Sequence, residues 1–474
     1  MKSLFAFNNN ISFSNCHSIC LIYNSLYQIK PNSSYNQAFF YNIRQSSNIH
    51  TKSNQIIGIE NLKGPSSLAT ATDFIEWFRG FTDAEGCFHI RKNKGNSFEF
   101  RFSIGLHIDD VKVLEYIYNN LLIGKVKINT KENIATYNII AKDEIAIIVN
   151  LFTIFSLNST KHLNFLVFQK AFQLYLNWGS EDRDELVREI EELRLNMNSK
   201  RLDFVMPDEH KVTITPYWLL GFIEGDGSFS VKNSGKDVNF SISQKGNKDL
   251  LIAISRYLES YVWDNEINNL IKEKPELVLL KESKNFTTEL KNCIYVGDSQ
   301  GITCLSISNP FYLNVIIVPL LDKLSWNSKK YLDYCDWKLI LVIISKGLHY
   351  TLEGLNIIEI ISNQMNNNRL STTTPEVKIT SYKDKIYELL NSPSNYEIRN
   401  GKLFIISLNR FRVDKEAVSI ELVDSDTLVV IESFTSISDC AKYLNIARST
   451  VNNRALKGKI FKFEDRLVYI KSSI

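Results

Sequence analysis

Acidic residues are missing from the first 59 positions of this 474-residue chain, a stretch rich in Asn and Ser whose formal charges are Lys2, Lys30, Arg44 and Lys52. An acid-poor, Ser-rich start resembles an organelle transit sequence, and a disordered tail or a translated remnant of an upstream reading frame has the same composition. Cysteine is scarce and scattered. The seven thiols at 16, 20, 87, 293, 304, 335 and 440 form no CxxC pair, which argues against a zinc ribbon or a disulfide framework. Cys16-His17-x-x-Cys20 lacks the further ligands a metal needs, and isolated thiols fit a reducing compartment. Long apolar runs are also missing. Leu313–Leu321 and Leu339–Ser345 fall far short of the roughly 20 residues a bilayer demands, so no membrane segment is expected. A strong charge of one sign is absent too, with 55 basic against 52 acidic residues. A net +3 neither demands nor excludes nucleic acid, because a local basic groove can coexist with a near-neutral total.

What is present is enough apolar material, 44% hydrophobic and 12% aromatic, for two to four domains. The chain is organised around one stretch, Tyr217-Trp-Leu-Leu-Gly-Phe-Ile-Glu-Gly-Asp-Gly-Ser-Phe229. Thr215 and Pro216 supply a helix start, a capping hydroxyl followed by proline at the first helical position. Gly221 and Gly225, four apart, leave a bare stripe on which another backbone can lie. Asp226 stands where the helix stops. The same order occurs upstream in Phe74-Ile-Glu-Trp-Phe-Arg-Gly-Phe-Thr-Asp-Ala-Glu-Gly-Cys-Phe88, with Gly80 and Ala84 as the small pair and Glu85 as the terminal acid. There Asp73 and Glu76 read as a capping box. Two copies of an uncommon pattern imply two related halves.

Helices packed through Gly80/Ala84 and Gly221/Gly225 would bring Glu85 and Asp226 together. Adjacent carboxylates repel and perturb each other's protonation unless a cation lies between them. Oxygen ligands, with the peptide carbonyls of Ala84 and Gly225 as extra donors, favour Mg2+ or Mn2+. Such a metal can activate water for phosphodiester hydrolysis.

After each motif the pattern switches to alternation. Phe98, Phe100, Phe102 and Ile104 interleave with Glu99, Arg101 and Ser103, which predicts a sheet with one buried and one polar face. The first half reads as helix, strands 88–92 and 98–104, helix 110–120, strands 125–128 and 136–140, and helices 144–155 and 161–178. The second repeats it with strands 229–232 and 238–242, helix 249–261, strand 304–308, and helices 315–323 and 330–345. Two echoes reinforce the duplication. Thr160-Lys-His-Leu-Asn-Phe165 matches Lys329-Lys-Tyr-Leu-Asp-Tyr334, and Met197-Asn-Ser-Lys-Arg201 matches Met365-Asn-Asn-Asn-Arg369. Asp226 to Lys330 spans 104 residues (330 − 226) against 76 from Glu85 to Lys161 (161 − 85), so an inserted loop is expected near 262–300. Glu181–Leu195 reads mainly as a solvated connector helix, and Asn366–Pro375 as a polar linker.

The runs Phe78-Arg-Gly-Phe-Thr-Asp-Ala-Glu-Gly86 and Leu219-Leu-Gly-Phe-Ile-Glu-Gly-Asp-Gly227 resemble the LAGLIDADG homing endonucleases and their maturase relatives, over roughly residues 70–370. The resemblance implies an α+β fold of two pseudo-symmetric αββαββα halves forming a saddle over double-stranded DNA. It implies a monomeric, intron-encoded, metal-dependent endonuclease that cuts both strands, the product of a fungal-type mitochondrial intron. A maturase that helps an intron RNA splice is the alternative. The catalytic acids would be Glu85 and Asp226, where Glu85 replaces the aspartate of the family's name. Asp83 and Glu224 would be local structural carboxylates. Gln244 resembles a position that orders water near the metals, with Leu106 in its place in half one. Lys161 and Lys330 resemble the lysine that steadies water or phosphate, though Lys329 leaves the register open. His89, Arg91, Arg101, Ser230, Lys232, Asn239 and Ser241 would face DNA.

The expected domains are a tail over 1–68, halves over 69–206 and 207–370, a linker over 371–400, and a C-terminal module over 401–474. That module has strands near 416–423 and 428–432, then a helix with Ile437, Cys440, Ala441 and Leu444 on one face. A second helix opened by Ser449 or Thr450 carries Arg448, Asn452, Asn453 and Arg454. This helix-turn-helix pattern resembles the nuclease-associated modular DNA-binding repeat appended to homing endonucleases.

Overall fold

The computed structural model describes residues 71–177, 183–232, 235, 237–261, 264–282, 293–373, 382–412 and 420–472. The acid-poor tail, and the transit reading placed on it, lie outside the described residues. The described residues divide into two compact units: those up to Gly401 with Ile405–Leu408, and Lys402–Phe404 with those from Asn409 onward.

In the first unit, α1 (Ala71–Glu85) runs directly into β1 (Gly86–Lys92), followed by β2 (Phe98–His107), α2 (Val111–Leu121), β3 (Lys125–Asn129), β4 (Ile134–Ile139), α3 (Lys142–Ile154), α4 (Lys161–Leu176) and α5 (Arg183–Leu195). The pattern then repeats: α6 (Pro216–Asp226), β5 (Gly227–Lys232), β6 (Asp237–Lys245), α7 (Lys248–Ser260), α8 (Asp264–Glu273), α9 (Pro275–Glu282), β7 (Ile294–Ser299) and β8 (Ile302–Ile307). Next comes α10, assembled from Pro310–Tyr312, a π-turn at Leu313–Ile317 and Val318–Asp322. After it follow α11 (Lys330–Ser345), α12 (Leu352–Ser362) and α13 (Lys383–Asn391). The two antiparallel sheets have the same order, β1-β2-β4-β3 and β5-β6-β8-β7. Gly86 pairs with Ile104 and Gly227 with Ile242. That shared register makes Leu106 the counterpart of Gln244.

Alternation in β2 does what it predicts. Phe98, Phe100, Phe102 and Ile104 are buried, and Glu99, Arg101 and Ser103 lie on the other, half-buried face. The phenylalanines meet α3 and α4 through ring contacts, with Phe88 against Phe165 and Phe168, and Phe100 against Phe172. Each fully buried large side chain contributes roughly 1.5–3 kcal/mol. These sheets therefore hold their helices chiefly through aromatic burial.

Several expectations are corrected. The capping box at Asp73 does not form, because α1 begins at Ala71, two residues earlier. Glu76 instead accepts from Arg79 at 2.7 Å and from Thr215 Oγ1 at 2.8 Å. The insertion is no simple loop: it contains α8 and α9, with Ile271, Leu277 and Leu280 buried, and the edge strand β7. The charged helix α5 buries Leu186, Val187 and Ile190, and Glu189 and Glu191 pair with Lys170 and Lys92 at 3.0 and 2.8 Å. It is a packed element, not mainly a solvated connector.

The polar stretch after Met365 is anchored rather than a free linker as far as Thr373, where its described part ends. Asn366 N donates to Asp333 Oδ1 at 3.0 Å, Arg369 pairs with Asp333 and Asp336, and Ser371 N donates to Asp109. The half-one echo is built alike. Asn198 N and Arg201 Nε both donate to Asn164 Oδ1, at 3.0 and 2.9 Å. Asn198 and Asn366 adopt φ of 55° and 56°, a left-handed conformation that asparagine tolerates. Their amides donate to the carbonyls of Phe88 and Phe229.

The second unit has its own sheet of β12 (Ile420–Asp424), β13 (Val430–Phe434), β14 (Phe461–Phe463) and β15 (Arg466–Ser472), in the order β13-β12-β15-β14. Short strands β9 (Tyr396–Arg399), β10 (Lys402–Ile405) and β11 (Arg410–Phe411) precede it in the chain. Helices α14 (Ile437–Tyr443) and α15 (Arg448–Lys457) pack on that sheet around Cys440, Leu444 and Val451. The helical pair is as expected, but the strands after it were not foreseen. The second helix is also not opened by Ser449 or Thr450, since its cap position is Ala447.

The bare stripe on α1 and α6 is used to its limit. A Cβ built on Gly80 would fall 1.9 Å from the carbonyl oxygen of Trp218, and one on Gly221 would fall 2.1 Å from that of Trp77. Helix propensity alone favours Gly→Ala by about 1 kcal/mol. Here the overlap reverses the sign, and Gly80→Ala and Gly221→Ala are each expected to lower unfolding free energy by at least about 2 kcal/mol in urea titrations. Gly105→Ala, whose nearest new contact is 3.9 Å away, is expected to stay within about 0.5 kcal/mol of the parent.

Candidate active site

Thr215 caps α6 as its sequence suggests, with Oγ1 accepting from Trp218 N at 3.1 Å and Pro216 in the first turn. The helix then crosses α1 along the glycine stripe. Two indoles reach across the crossing in opposite senses. Trp218 Nε1 donates to Asp83 Oδ2 at 2.9 Å, and Trp77 Nε1 donates to Glu224 Oε2. Each acid also accepts locally. Asp83 takes Asn158 N, Ser159 N and Ser159 Oγ, and Glu224 takes Asn327 N, Ser328 N and Ser328 Oγ. These carboxylates are structural, and they do more than local work by holding the other half's indole. Burial pushes the Glu224 carboxyl up, and its four donors work against that shift.

The same bonds hold the segments that start α4 and α11, and so position Lys161 and Lys330. Lys161 Nζ donates to the Ala84 carbonyl and lies 3.4 Å from that of Thr82. Lys330 Nζ donates to the carbonyls of Gly225 at 2.7 Å and Gly227 at 2.6 Å. The open register is thereby resolved, because Lys329 points elsewhere and pairs with Asp109 at 2.8 Å. Burial lowers the pKa of both Lys161 and Lys330, and the charges of Asp226 and Glu85 oppose that shift.

Glu85 and Asp226 end their helices beside each other. A Cβ on Gly225 would lie 2.3 Å from Ala84 Cβ and 3.4 Å from Glu85 Oε1. Burial first, and then the charge of Glu85, push the Asp226 carboxyl up to about 6 against the pull of Lys161, Lys330 and Gln244. Gln244 Nε2 donates to Asp226 Oδ2 at 2.5 Å, while Leu106 stands at the matching place in half one. The donor set facing this point is two carboxylates and peptide carbonyls, all hard oxygens, which fits a divalent cation of the Mg2+ class. Among the described residues no three His, Cys, Asp or Glu side chains converge as a metal cage. A cation here would need water or phosphate oxygens to complete its shell. The carbonyls of Ala84 and Gly225, expected as metal donors, are the ones that carry the lysine ammoniums.

Of the outward-facing positions, His89, Arg91 and Lys232 are exposed, and Arg101, Ser230 and Ser241 are half-buried. Burial and the neighbouring Arg101 charge lower the His89 pKa, so its ring is neutral at pH 7. Arg101 pairs with Glu99 on its own strand. Asn239 is corrected: it is buried, and its Oδ1 accepts from Ser306 Oγ at 2.5 Å, so it offers no surface to a ligand. In the C-terminal unit Arg448, Asn452 and Asn453 are exposed along α15. Arg454 is half-buried with its guanidinium 3.9 Å from the centre of the Phe461 ring, a cation–π contact that holds it to the sheet. Sequence reasoning missed Asn247, Asp110 and the two indoles, which act through long-range bonds that no local pattern announces.

Two family models match the chain: LAGLIDADG endonuclease over residues 78–172 and NUMOD1 domain over 418–455. The protein named Uncharacterized mitochondrial protein RF1 of Saccharomyces cerevisiae is 25% identical over 419 residues, covering 87% of this chain and 85% of its own. The protein named Probable intron-encoded endonuclease Cox1-I1b of Schizosaccharomyces pombe is 29% identical over 225 residues, 46% of this chain and 57% of its own. Among solved structures, the LAGLIDADG homing endonuclease I-GzeII in complex with its DNA target matches with a TM-score of 0.50 at 25% identity. That match covers 62% of this chain and 99% of the other.

The raised Asp226 pKa has a consequence for stability. A carboxyl whose folded-state value, about 6, lies above its ordinary 3.8 costs stability once ionised. The penalty is absent below about pH 4 and complete above about pH 6. Asp226→Asn removes the charge and is expected to raise unfolding free energy by up to about 3 kcal/mol at pH 8 in metal-free buffer. Urea titrations at pH 8 and pH 4 test this, and the gain should vanish at pH 4.

Proposed function

We infer that this chain, a member of the LAGLIDADG homing endonuclease family with an appended NUMOD1 domain, is a site-specific double-strand DNA endonuclease whose two terminal motif acids, Glu85 and Asp226, form one metal-dependent active site. The observation that carries the reading is the pairing of those acids at a helix crossing so close that only glycine fits. Neither acid would be needed by a protein that only holds an intron RNA, so the pair favours cleavage over the maturase reading.

The cation we assign is Mg2+, or Mn2+ in its place. Bound to Glu85 and Asp226, it would supply an activated water and charge stabilisation for the leaving oxygen. The side chains around it have separate tasks. Lys161 and Lys330 bring two ammoniums to where the scissile phosphates would lie, and offset their charge. Gln244 holds Asp226 and presents an amide to solvent entering the site. Burial of both lysines keeps bulk water from screening these charges.

DNA is proposed to lie on the outward faces of the two sheets, met by His89, Arg91, Arg101, Ser230, Lys232 and Ser241. A neutral His89 there accepts or donates a hydrogen bond rather than adding charge. Arg448, Asn452 and Asn453 extend the contact from the C-terminal unit. Like the relatives with mitochondrial and intron-encoded names, the protein is assigned to mitochondria and to homing of its host intron. It acts as a monomer, since both acids come from one chain.

Cleavage of the intronless exon junction tests the reading. The intact protein with Mg2+ is expected to cut both strands, and Glu85→Gln and Asp226→Asn each to slow cutting by at least about 100-fold while leaving DNA affinity in place. No cutting by the intact protein at the correct site with either metal would overturn it. For the C-terminal unit, Arg448→Ala is expected to weaken binding and lower the slope of log K against log salt by about 1, the signature of one lost phosphate contact.

A further inference from the structure

Asn247 occupies the cap position of α7, where asparagine ordinarily bonds the first amides of its own helix, yet it makes no such bond. Its side chain is 7% exposed and fully engaged elsewhere. Oδ1 accepts from the backbone N–H of Thr160 at 2.7 Å, and Nδ2 lies 3.2 Å from the Lys245 carbonyl and 3.1 Å from Gln244 Oε1. A backbone N–H can only donate and a backbone carbonyl can only accept, so two peptide groups dictate which end of the Asn247 amide is oxygen. That choice dictates the next one. Gln244 must turn its oxygen toward Asn247, which leaves Nε2 facing Asp226 Oδ2. Were Gln244 reversed, an amide oxygen would confront the carboxylate.

The fixed end of this relay belongs to the other half of the fold, because Thr160 immediately precedes Lys161. Half one has the matching cap: Asp110 Oδ1 accepts from Lys329 N at 2.9 Å, just before Lys330. There the chain of amides stops, since Asp110 has no amide N–H to pass on and Leu106 stands where Gln244 would be. The relay therefore exists once, on the side of Asp226.

We propose that Asn247 is a positioning residue that sets the orientation of Gln244 against Asp226, and that it makes cleavage of one DNA strand, and not the other, depend on that orientation. The proposal rests on the endonuclease reading.

Asn247→Asp isolates the device. It keeps the size of the side chain and the acceptor for Thr160, and removes the donor that orients Gln244. In single-turnover cleavage with each strand labelled separately, one strand is expected to slow by about tenfold or more, the scale of lost outer-shell partners. The other strand and the DNA dissociation constant are expected to change by less than about twofold. In a Gln244→Leu background, which copies the state of half one, Asn247→Asp is expected to add less than about a further twofold. That non-additivity is what a merely structural asparagine would not produce.

Equal slowing of both strands, or an undiminished effect in the Gln244→Leu background, overturns the proposal. If Asn247→Asp does not fold, Asn247→Ala, which frees Gln244 to turn rather than forcing it, is read by the same strand ratio. A parent protein that cuts neither strand would sink the endonuclease reading instead. The positioning claim would then be read from the 15N-labelled side-chain amide of Gln244: a shift in Asn247→Asp supports it and an unchanged resonance overturns it.

Discussion

The backbone contact between α1 and α6 is the constraint on which the rest of the first unit depends. Gly80 lies against the Trp218 carbonyl and Gly221 against that of Trp77, so the two helices meet through peptide groups with no side chain between them. Terminal acids carried on helices separated by ordinary side chains would sit several ångströms further apart. The crossing also sets the indoles, which pass over it to Asp83 and Glu224. Those acids hold the segments ahead of Lys161 and Lys330. The charges of the candidate site are thus placed by two layers of contacts, backbone on backbone and then buried hydrogen bonds.

The halves agree closely wherever the scaffold must be built. Sheet order, the left-handed asparagine that bonds the first strand of each sheet, and the arginine that follows it all recur. Asn164 and Asp333 differ by one atom group and still accept the same two bonds. They disagree where chemistry is proposed. Leu106 replaces an amide, Asp110 replaces an asparagine, and Glu85 is one methylene longer than Asp226. Packing constrains both copies in the same way, whereas the groups around the two acids need not match for a shared site to work, and there the copies have diverged.

Much of this was legible in the sequence because it is local. Glycines four apart with an acid at the helix end specify both the interface and the pair of acids, and alternation in 98–104 specifies the buried face of β2. The echo Met197–Arg201 with Met365–Arg369 was visible, but its polar composition read as linker, since nothing local tells that Asp333 and Asp336 wait for Arg369. Helices α8 and α9 were hidden by a polar stretch whose apolar residues are few but buried. Asn239 sits on the polar face of its strand as the alternation requires, yet Ser306 on the neighbouring strand covers it. Burial on an outward face depends on a partner strand, which periodicity within one strand cannot report. Asn247 shows the same limit, because the helix read over 249–261 stopped short of it and its partner Thr160 lies in the other half.

At the ends of the two motif helices the charges of Glu85 and Asp226 balance those of Lys161 and Lys330 once the Asp226 carboxyl has ionised above about pH 6. A phosphate brought into this partly buried cluster adds negative charge where the dielectric is low and repulsion correspondingly large. The lysine ammoniums are already engaged with carbonyl oxygens on the two motif helices, so a new anion competes with existing bonds for them. The neutral cluster therefore favours its own internal bonds until further positive charge arrives with the phosphate. A divalent cation supplies that charge and also offsets the burial penalty and the Glu85 repulsion that together lift the Asp226 pKa. On this argument the raised Asp226 pKa and the proposed dependence on metal share one origin, two acids buried side by side by a crossing that only glycine permits, and burial lowers the lysine pKa values against the pull of those same acids.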